Sequence, residues 1–243
     1  MSGHSKWATT KHKKAVIDAK RSKIFTKAAK LITIAARDGK SGDPVMNPGL
    51  RLAIDNAKAV SMPRENIDRA IKRGLGGLDG GAQLENITYE AYAPGGVAIL
   101  IECLTDNKNR ALAEVKTVLT KNGGSFASAG SVSYLFRKVG QIVVDEAENS
   151  VTGEELELIM FDSGALDFEK DETLFIVTCE MTQLNQVKTK LESDNIKINS
   201  AEIIESPTVM VDIPDDKKEK IGNLLELLDD LDDVNNVYSN ANI

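Results

Sequence analysis

From Ser22 onward, apolar side chains recur at spacings of three and four. At about 100° per residue, Ile24, Phe25, Ala28, Leu31, Ile32 and Ala35 fall on one face, which predicts an amphipathic helix. Lys20, Lys23, Lys27, Lys30 and Arg37 occupy an adjoining arc, giving that helix a cationic stripe beside its core face. Gly39 and the following KSGDP end it, because glycine accepts a left-handed cap and Pro44 disfavours helix at the residue before it. Asn47 as cap and Pro48 at the first helical position restart a second helix through Leu50, Leu52, Ala53, Ile54 and Ala57. Pro63 opens a third, with Glu65 to Arg69 and Asp68 to Lys72 in favourable order, and Gly74 closes it. Three short amphipathic helices predict a small bundle.

GLGGLDGG, residues 74–81, reads as a linker, and the pattern changes after it. ITYEAYA, VAILIECL and SVSYLF have strand character, with Val132, Tyr134 and Phe136 of the last on one face, and a helical run through Leu112, Val115 and Leu119 separates the second from the third. QIVVDE follows as a strand. Thr152 to Glu155 forms a capping box that starts a helix through Leu156, Ile159 and Met160. Next come the strand TLFIVTCE, a helix through Leu184, Val187 and Leu191, and a strand near residues 196–203. TVMVDI, a helix carrying Ile221, Leu224, Leu225, Leu228 and Leu231, and NVYSN complete the chain. Residues 138–205 thus read β-α-β-β-α-β by themselves, flanked by β-α-β on either side. The expected fold class is α+β: an N-terminal three-helix domain followed by two split-βαβ, ferredoxin-like modules, one inserted in the other. The expected domains are 1–79 (basic arm and helices), 82–137 with 206–243 (a discontinuous α+β domain), and 138–205 (the insert).

Charge sharpens this partition. The 243 residues carry a net charge of -7, but residues 1–80 hold 17 Lys and Arg against 7 Asp and Glu, whereas residues 81–243 hold 13 against 30. A basic part that seeks phosphates and an acidic remainder that does not is the reading such asymmetry supports. No stretch approaches the roughly 18 apolar residues of a membrane span, and the first residues lack the apolar core of a secretory signal. With Cys103 and Cys179 as its only cysteines, the chain is expected in the reducing cytoplasm, without a disulfide framework or a four-cysteine zinc site.

Catalytic chemistry finds little support. The two histidines, His4 and His12, both lie in the basic arm, and HExxH, CxxC and GxxxxGK[ST] are absent. We therefore expect no enzyme, no cofactor, no metal and no small-molecule substrate. Cys103 and Cys179 end apolar strands and read as small buried hydrophobes. The run LLELLDDLDD reads as an amphipathic helix whose acids are solvated opposite a leucine stripe. The arm is more specific. Lys6, Lys11, Lys13, Lys14, Lys20, Arg21, Lys23, Lys27 and Lys30 crowd into 25 residues, and Trp7 and His12 supply flat rings for stacking on bases. Lys72 and Arg73, at the end of the third helix, are secondary candidates for phosphate contact.

The chain also resembles a known family. GHSKW (3–7), KHKK (11–14), DAKRSKIFTK (18–27), DPVMNPGLRLAIDNAKA (43–59), MPRENIDRAIKRG (62–74), YEAYAPGGVAILIE (89–102), LTDNKNR (104–110) and GSVSYLF (130–136) are similar to blocks of the YebC/PmpR family. Ala91, Phe126-Ala127 and Thr10 depart from the family pattern at turn and packing sites. The resemblance implies three domains and a cytoplasmic bacterial protein labelled a transcriptional regulator, with some members binding promoter DNA. It also implies a link to translation, through a mitochondrial translational activator and bacterial relatives tied to the ribosome. The expected function is a nucleic-acid-binding regulator of gene expression. The alternatives are a translation factor on rRNA of the large ribosomal subunit and a protein adaptor using the acidic surface.

Overall fold

The computed structural model describes residues 18–77 and 84–243, which divide into two compact units: residues 18–77, 84–136 and 207–243 form one, and residues 137–206 the other. Of the expected linker, residues 78–81 lie outside the described residues.

The first unit begins with α1 (Asp18–Asp38), α2 (Pro48–Ala59) and α3 (Arg64–Gly74). Ile32, Ala36, Leu50, Ile54, Ala57, Met62, Ile67 and Ala70 form their shared core, with Phe25 and Ala28 packed against it. The buried face of α1 is rotated from the expected one: Leu31 is 41% exposed, while Thr33 and Ala36 are buried. The cause is the close passage of α3. A Cβ at Gly74 would lie 2.3 Å from the Thr33 carbonyl oxygen and 2.9 Å from the Ala36 Cβ, so only glycine lets the two helices approach this far. Thr33 is polar yet fits there, because its hydroxyl donates to the carbonyls of Ala29 (2.8 Å) and Ala70 (3.2 Å). Asn47 caps α2 by accepting from the Leu50 amide, and its own amide donates to the Ala35 carbonyl, tying the start of α2 to the end of α1.

The rest of this unit is a four-stranded sheet with two helices. β1 (Glu85–Ala93), β2 (Val97–Thr105), β3 (Ser125–Ala127) and β9 (Val234–Ser239) take the order β3-β1-β2-β9, with α4 (Lys108–Lys121) between β2 and β3 in the chain. α7 (Asp215–Asp229) precedes β9. Val97, Ile99, Ile101 and Cys103, alternate positions of β2, pack with Val115 and Leu119 of α4 and Ile221, Leu224, Leu225 and Leu228 of α7. A small parallel pair, β8 (Val211–Asp212) with β10 (Ala241–Asn242), closes the unit.

SVSYLF is not the strand its alternation predicts. Ser133–Leu135 is a short 3-10 turn, Tyr134 is 71% exposed, and the strand facing β1 is Ser125–Ala127. The competing interaction is the buried Glu90 carboxylate, which accepts from the backbone amides of Gly130 (2.6 Å), Val132 (2.6 Å) and Ser133 (3.0 Å) and so bends this segment around itself. Burial alone would raise the Glu90 carboxyl, but these amide hydrogen bonds outweigh it and hold the group below its ordinary range.

The second unit is the inserted module. β4 (Phe136–Asp145), α5 (Glu154–Asp162), β5 (Asp167–Asp171), β6 (Leu174–Glu180), α6 (Leu184–Ser193) and β7 (Ser200–Pro207) give the expected β-α-β-β-α-β succession, with sheet order β5-β6-β4-β7. This is the split-βαβ arrangement. Its last strand starts later than residue 196. α5 begins after Gly153 rather than at a Thr152 cap, and the Gly153 amide donates to the Glu146 carboxylate instead. Gly140 of β4 faces the Cys179 Sγ of β6, where an added Cβ would sit only 2.6 Å from the sulfur.

Candidate nucleic-acid interface

The candidates in the arm, Lys6, Trp7, Lys11, His12, Lys13 and Lys14, lie outside the described residues, as do the side chains of Lys20 and Arg21 on the first turn of α1. The structure brings together the next three. Lys23, Lys27 and Lys30 are four and three residues apart, so they project along one side of α1. That side meets the C-terminal end of α7.

Each ammonium there makes the same kind of contact. Lys23 Nζ donates to the Asp230 carbonyl (2.8 Å) and approaches its carboxylate (3.4 Å). Lys27 Nζ donates to the Asp229 carbonyl (2.8 Å) and carboxylate (3.0 Å). Lys30 Nζ donates to the carbonyls of Asp232 (2.8 Å) and Leu104 (2.9 Å) and to the Asp233 carboxylate (3.2 Å). The physics is that of a helix end. The carbonyls of Asp229 and Asp230, where α7 runs out, face these ammonium groups, the macrodipole makes that end negative, and the sequence adds aspartates, which the dipole disfavours. Three cations from another helix compensate all of these at once.

This arrangement departs from the expected one on both sides. The acids of the LLELLDDLDD run are not simply solvated, and the cationic stripe of α1 is not simply open to a ligand; three members of each meet. Exposure grades along the contact: Lys23 is 45% exposed and Asp230 51%, Lys27 and Asp229 are about half as exposed, and Asp233 is 5% exposed. By the ordinary behaviour of exposed ion pairs, the Lys23 end is the weakest and the most salt-sensitive.

Asp233 is the inner anchor. Beside Lys30 it accepts from Arg110 Nε (2.9 Å) and Nη2 (2.7 Å), and Arg110 also reaches Asp106 (2.8 Å) one turn earlier. Burial pushes the Asp233 carboxyl up, but hydrogen bonds from Arg110, Thr105 and Lys30 outweigh burial and hold it below the ordinary range. The hydrogen bond to Asp233 raises the Arg110 guanidinium in turn. A second tie crosses at the end of α1, where the Arg37 guanidinium donates to the Leu84 carbonyl at the start of the sheet domain. Arg110 was not among the residues the sequence singled out, and the aspartates were singled out only as solvated acids. The only signal was complementary charge, a cationic stripe on α1 and an acidic run at 229–233, because the spacing of the lysines (four and three) differs from that of the aspartates they meet (one and three).

Lys72 and Arg73 stand exposed on the last turn of α3, away from any acidic cluster in their own helix turn. The two thiols are buried. Burial pushes Cys103 up to about 12 and Cys179 up to about 11, which keeps both protonated at neutral pH. Among the described residues no group of His, Cys, Asp and Glu is placed to hold a metal ion, and no helix is long and apolar enough to cross a membrane.

Comparison with known proteins agrees with this architecture. Residues 5–77 match the TACO1/YebC protein N-terminal domain, and residues 84–241 match the TACO1/YebC second and third domain. A probable transcriptional regulatory protein of Thermobifida fusca is 51% identical over the whole chain and 96% of its own length, and one of Mycolicibacterium paratuberculosis is 50% identical over the same shares. The crystal structure of a conserved hypothetical protein from Aquifex aeolicus is 43% identical and superposes with a TM-score of 0.90, covering 98% of this chain and 96% of that one. With both family models together spanning nearly its full length and relatives at half identity end to end, the chain belongs to the TACO1/YebC family.

Proposed function

We propose that this chain is a non-enzymatic, cytoplasmic regulator of gene expression that acts by binding nucleic acid through its basic N-terminal third. The observation that carries the reading is the charge partition: 17 cationic against 7 acidic residues in residues 1–80, 13 against 30 in residues 81–243. Its relatives in Thermobifida fusca and Salinispora arenicola are named probable transcriptional regulatory proteins, which supports the same direction. In this reading Lys6, Lys11, Lys13, Lys14, Lys20 and Arg21 contact phosphates, Trp7 and His12 stack on bases, and Lys72 and Arg73 extend the cationic surface. The acidic modules hold the remainder of the chain off the polyanion by repulsion.

The test is a salt series of binding to labelled duplex DNA and to single-stranded RNA. With about six phosphate contacts, log affinity falls with log salt at a slope near -5 for duplex or -4 for single strands, and replacing Lys11, Lys13 and Lys14 by Ala flattens it by about 2 to 3. An unchanged slope would remove the arm from the interface. Preference for one promoter over scrambled duplex by about 10³ or more identifies a DNA regulator. Ribonuclease-sensitive co-sedimentation with large ribosomal subunits, with no duplex preference, identifies translation as the process regulated.

A further inference from the structure

We propose that the acidic end of α7 is a built-in competitor for the cationic stripe of α1, so that the protein holds part of its phosphate-binding surface closed until a nucleic-acid backbone displaces the aspartates. The proposal rests on the function just given and concerns the regulation of that same surface. Its basis is the triple repetition of one contact. Lys23 and Lys27 find the backbone carbonyls of Asp230 and Asp229 at the end of α7, and Lys30 that of Asp232 in the turn after it, each at 2.8 Å and each together with a carboxylate between 3.0 and 3.4 Å.

Carboxylate and carbonyl oxygens around an ammonium offer the same ligand chemistry as the non-bridging oxygens of a phosphodiester chain. A ligand strand therefore needs no new pocket, only exchange of one set of oxygens for another. The graded exposure gives the exchange an order. The Lys23–Asp230 pair is half exposed, Lys27–Asp229 is less so, and Lys30 is held by Asp233, which Arg110 also grips. A polyanion arriving along the arm meets Lys23 first, then Lys27, while the contact at Asp233 keeps the helical domain joined to the sheet. The latch thus opens from its outer end and remains hinged at its inner one.

The experiment uses the full-length chain. Asp229→Asn with Asp230→Asn removes two competing charges and leaves every lysine and the Asp233 anchor in place. A pair of spin labels, on Ala59→Cys in α2 and Thr120→Cys in α4, reports the separation of the helical domain from the sheet; both sites are exposed, whereas the native thiols are buried. The probes are a 30-base-pair duplex and a 30-nucleotide single-stranded RNA. With one half-exposed and one partly buried pair neutralised, the variant binds about three- to tenfold tighter at low salt. Its label distances broaden without ligand, as those of the parent do on adding ligand or salt. Equal affinity of variant and parent, with label distances unmoved by saturating probe, overturns the latch and leaves the function reading intact. Failure of both proteins to bind either probe overturns the function reading itself. Should the double variant unfold, Asp230→Asn alone is read in the same way, since Asp230 is half exposed. Tightening with only one of the two probes identifies which nucleic acid opens the latch.

Discussion

Gly74→Ala sets two effects of opposite sign against each other. Placing alanine in a helix in place of glycine stabilises by up to about 1 kcal/mol, and less on the final turn, where Gly74 sits. The added methyl group, however, would lie 2.3 Å from the Thr33 carbonyl oxygen and 2.9 Å from the Ala36 Cβ. Ordinary contact requires α3 to retreat by about 1 Å, and neither obstacle is a flexible side-chain end. That movement also stretches the 3.2 Å hydrogen bond from the Thr33 hydroxyl to the Ala70 carbonyl and loosens the buried contacts of Ile32, Ala36, Ile67 and Ala70. Overpacking of this kind costs about 1 to 3 kcal/mol, and a stretched buried hydrogen bond about 1 more, so the expected net loss is about 2 kcal/mol. Because the chain holds two units, a single global midpoint would mix them. Hydrogen exchange read by mass spectrometry resolves the difference. Peptides covering residues 24–37 and 64–74 should lose protection by about 30-fold, while peptides from the inserted unit keep theirs. Unchanged or increased protection in α1 and α3 would refute the close-packing argument.

Other consequences are accessible to simpler assays. Asp233→Asn should destabilise the first unit by about 2 to 3 kcal/mol in urea at pH 7, because it removes the charge from a buried acceptor of Arg110 and Lys30. Since the folded carboxyls of Asp233 and Glu90 are both held below their ordinary values of 3.8 and 4.5, their contribution is complete above those values and is lost as pH falls through the depressed ones. Acid unfolding should therefore begin below about pH 4, and the Asp233→Asn protein should show a shallower acid limb than the parent in a pH series of urea midpoints. Glu90→Gln should cost about 2 kcal/mol and release residues 130–133, seen as faster exchange of those amides, since a neutral amide holds three backbone donors less well than a carboxylate. Cys103 and Cys179 should resist alkylation at pH 8 in the native protein and react on unfolding, and rapid native labelling would contradict their burial.

The helical bundle and the β-α-β-β-α-β order of the insert were legible because both arise from local periodicity. Apolar residues at three and four place Ile32 and Ile54 in one core, and alternation or short apolar runs mark β4, β6 and the hairpin β1–β2. What failed to show was set by partners distant in sequence. Val132, Tyr134 and Phe136 alternate as a strand should, yet Glu90, forty residues earlier, draws the amides of that segment into a turn. The stripe of α1 declares positive charge but not its destination, because the aspartates it meets lie some two hundred residues on. Leu31 fell on the expected buried face and is exposed because Gly74 pulls α3 toward Thr33 and Ala36. Periodicity specifies which face is apolar to within a residue or so, and the neighbour decides the final rotation.

The discontinuous sheet imposes a schedule on synthesis. β2 is buried almost throughout and is flanked by β1 and β9, but β9 comes only at Val234–Ser239. Between the emergence of β2 and that of its second neighbour, roughly 130 residues must be translated, which at about 5 to 20 residues per second leaves an apolar strand edge open for about 6 to 26 seconds. The insert has no such wait. All four of its strands are contiguous in the chain, and its first and last, β4 and β7, are hydrogen-bonded neighbours that bring entry and exit side by side. The nascent chain can thus complete its second half-made sheet before its first, and the segment most exposed to mispairing during synthesis is VAILIECLT.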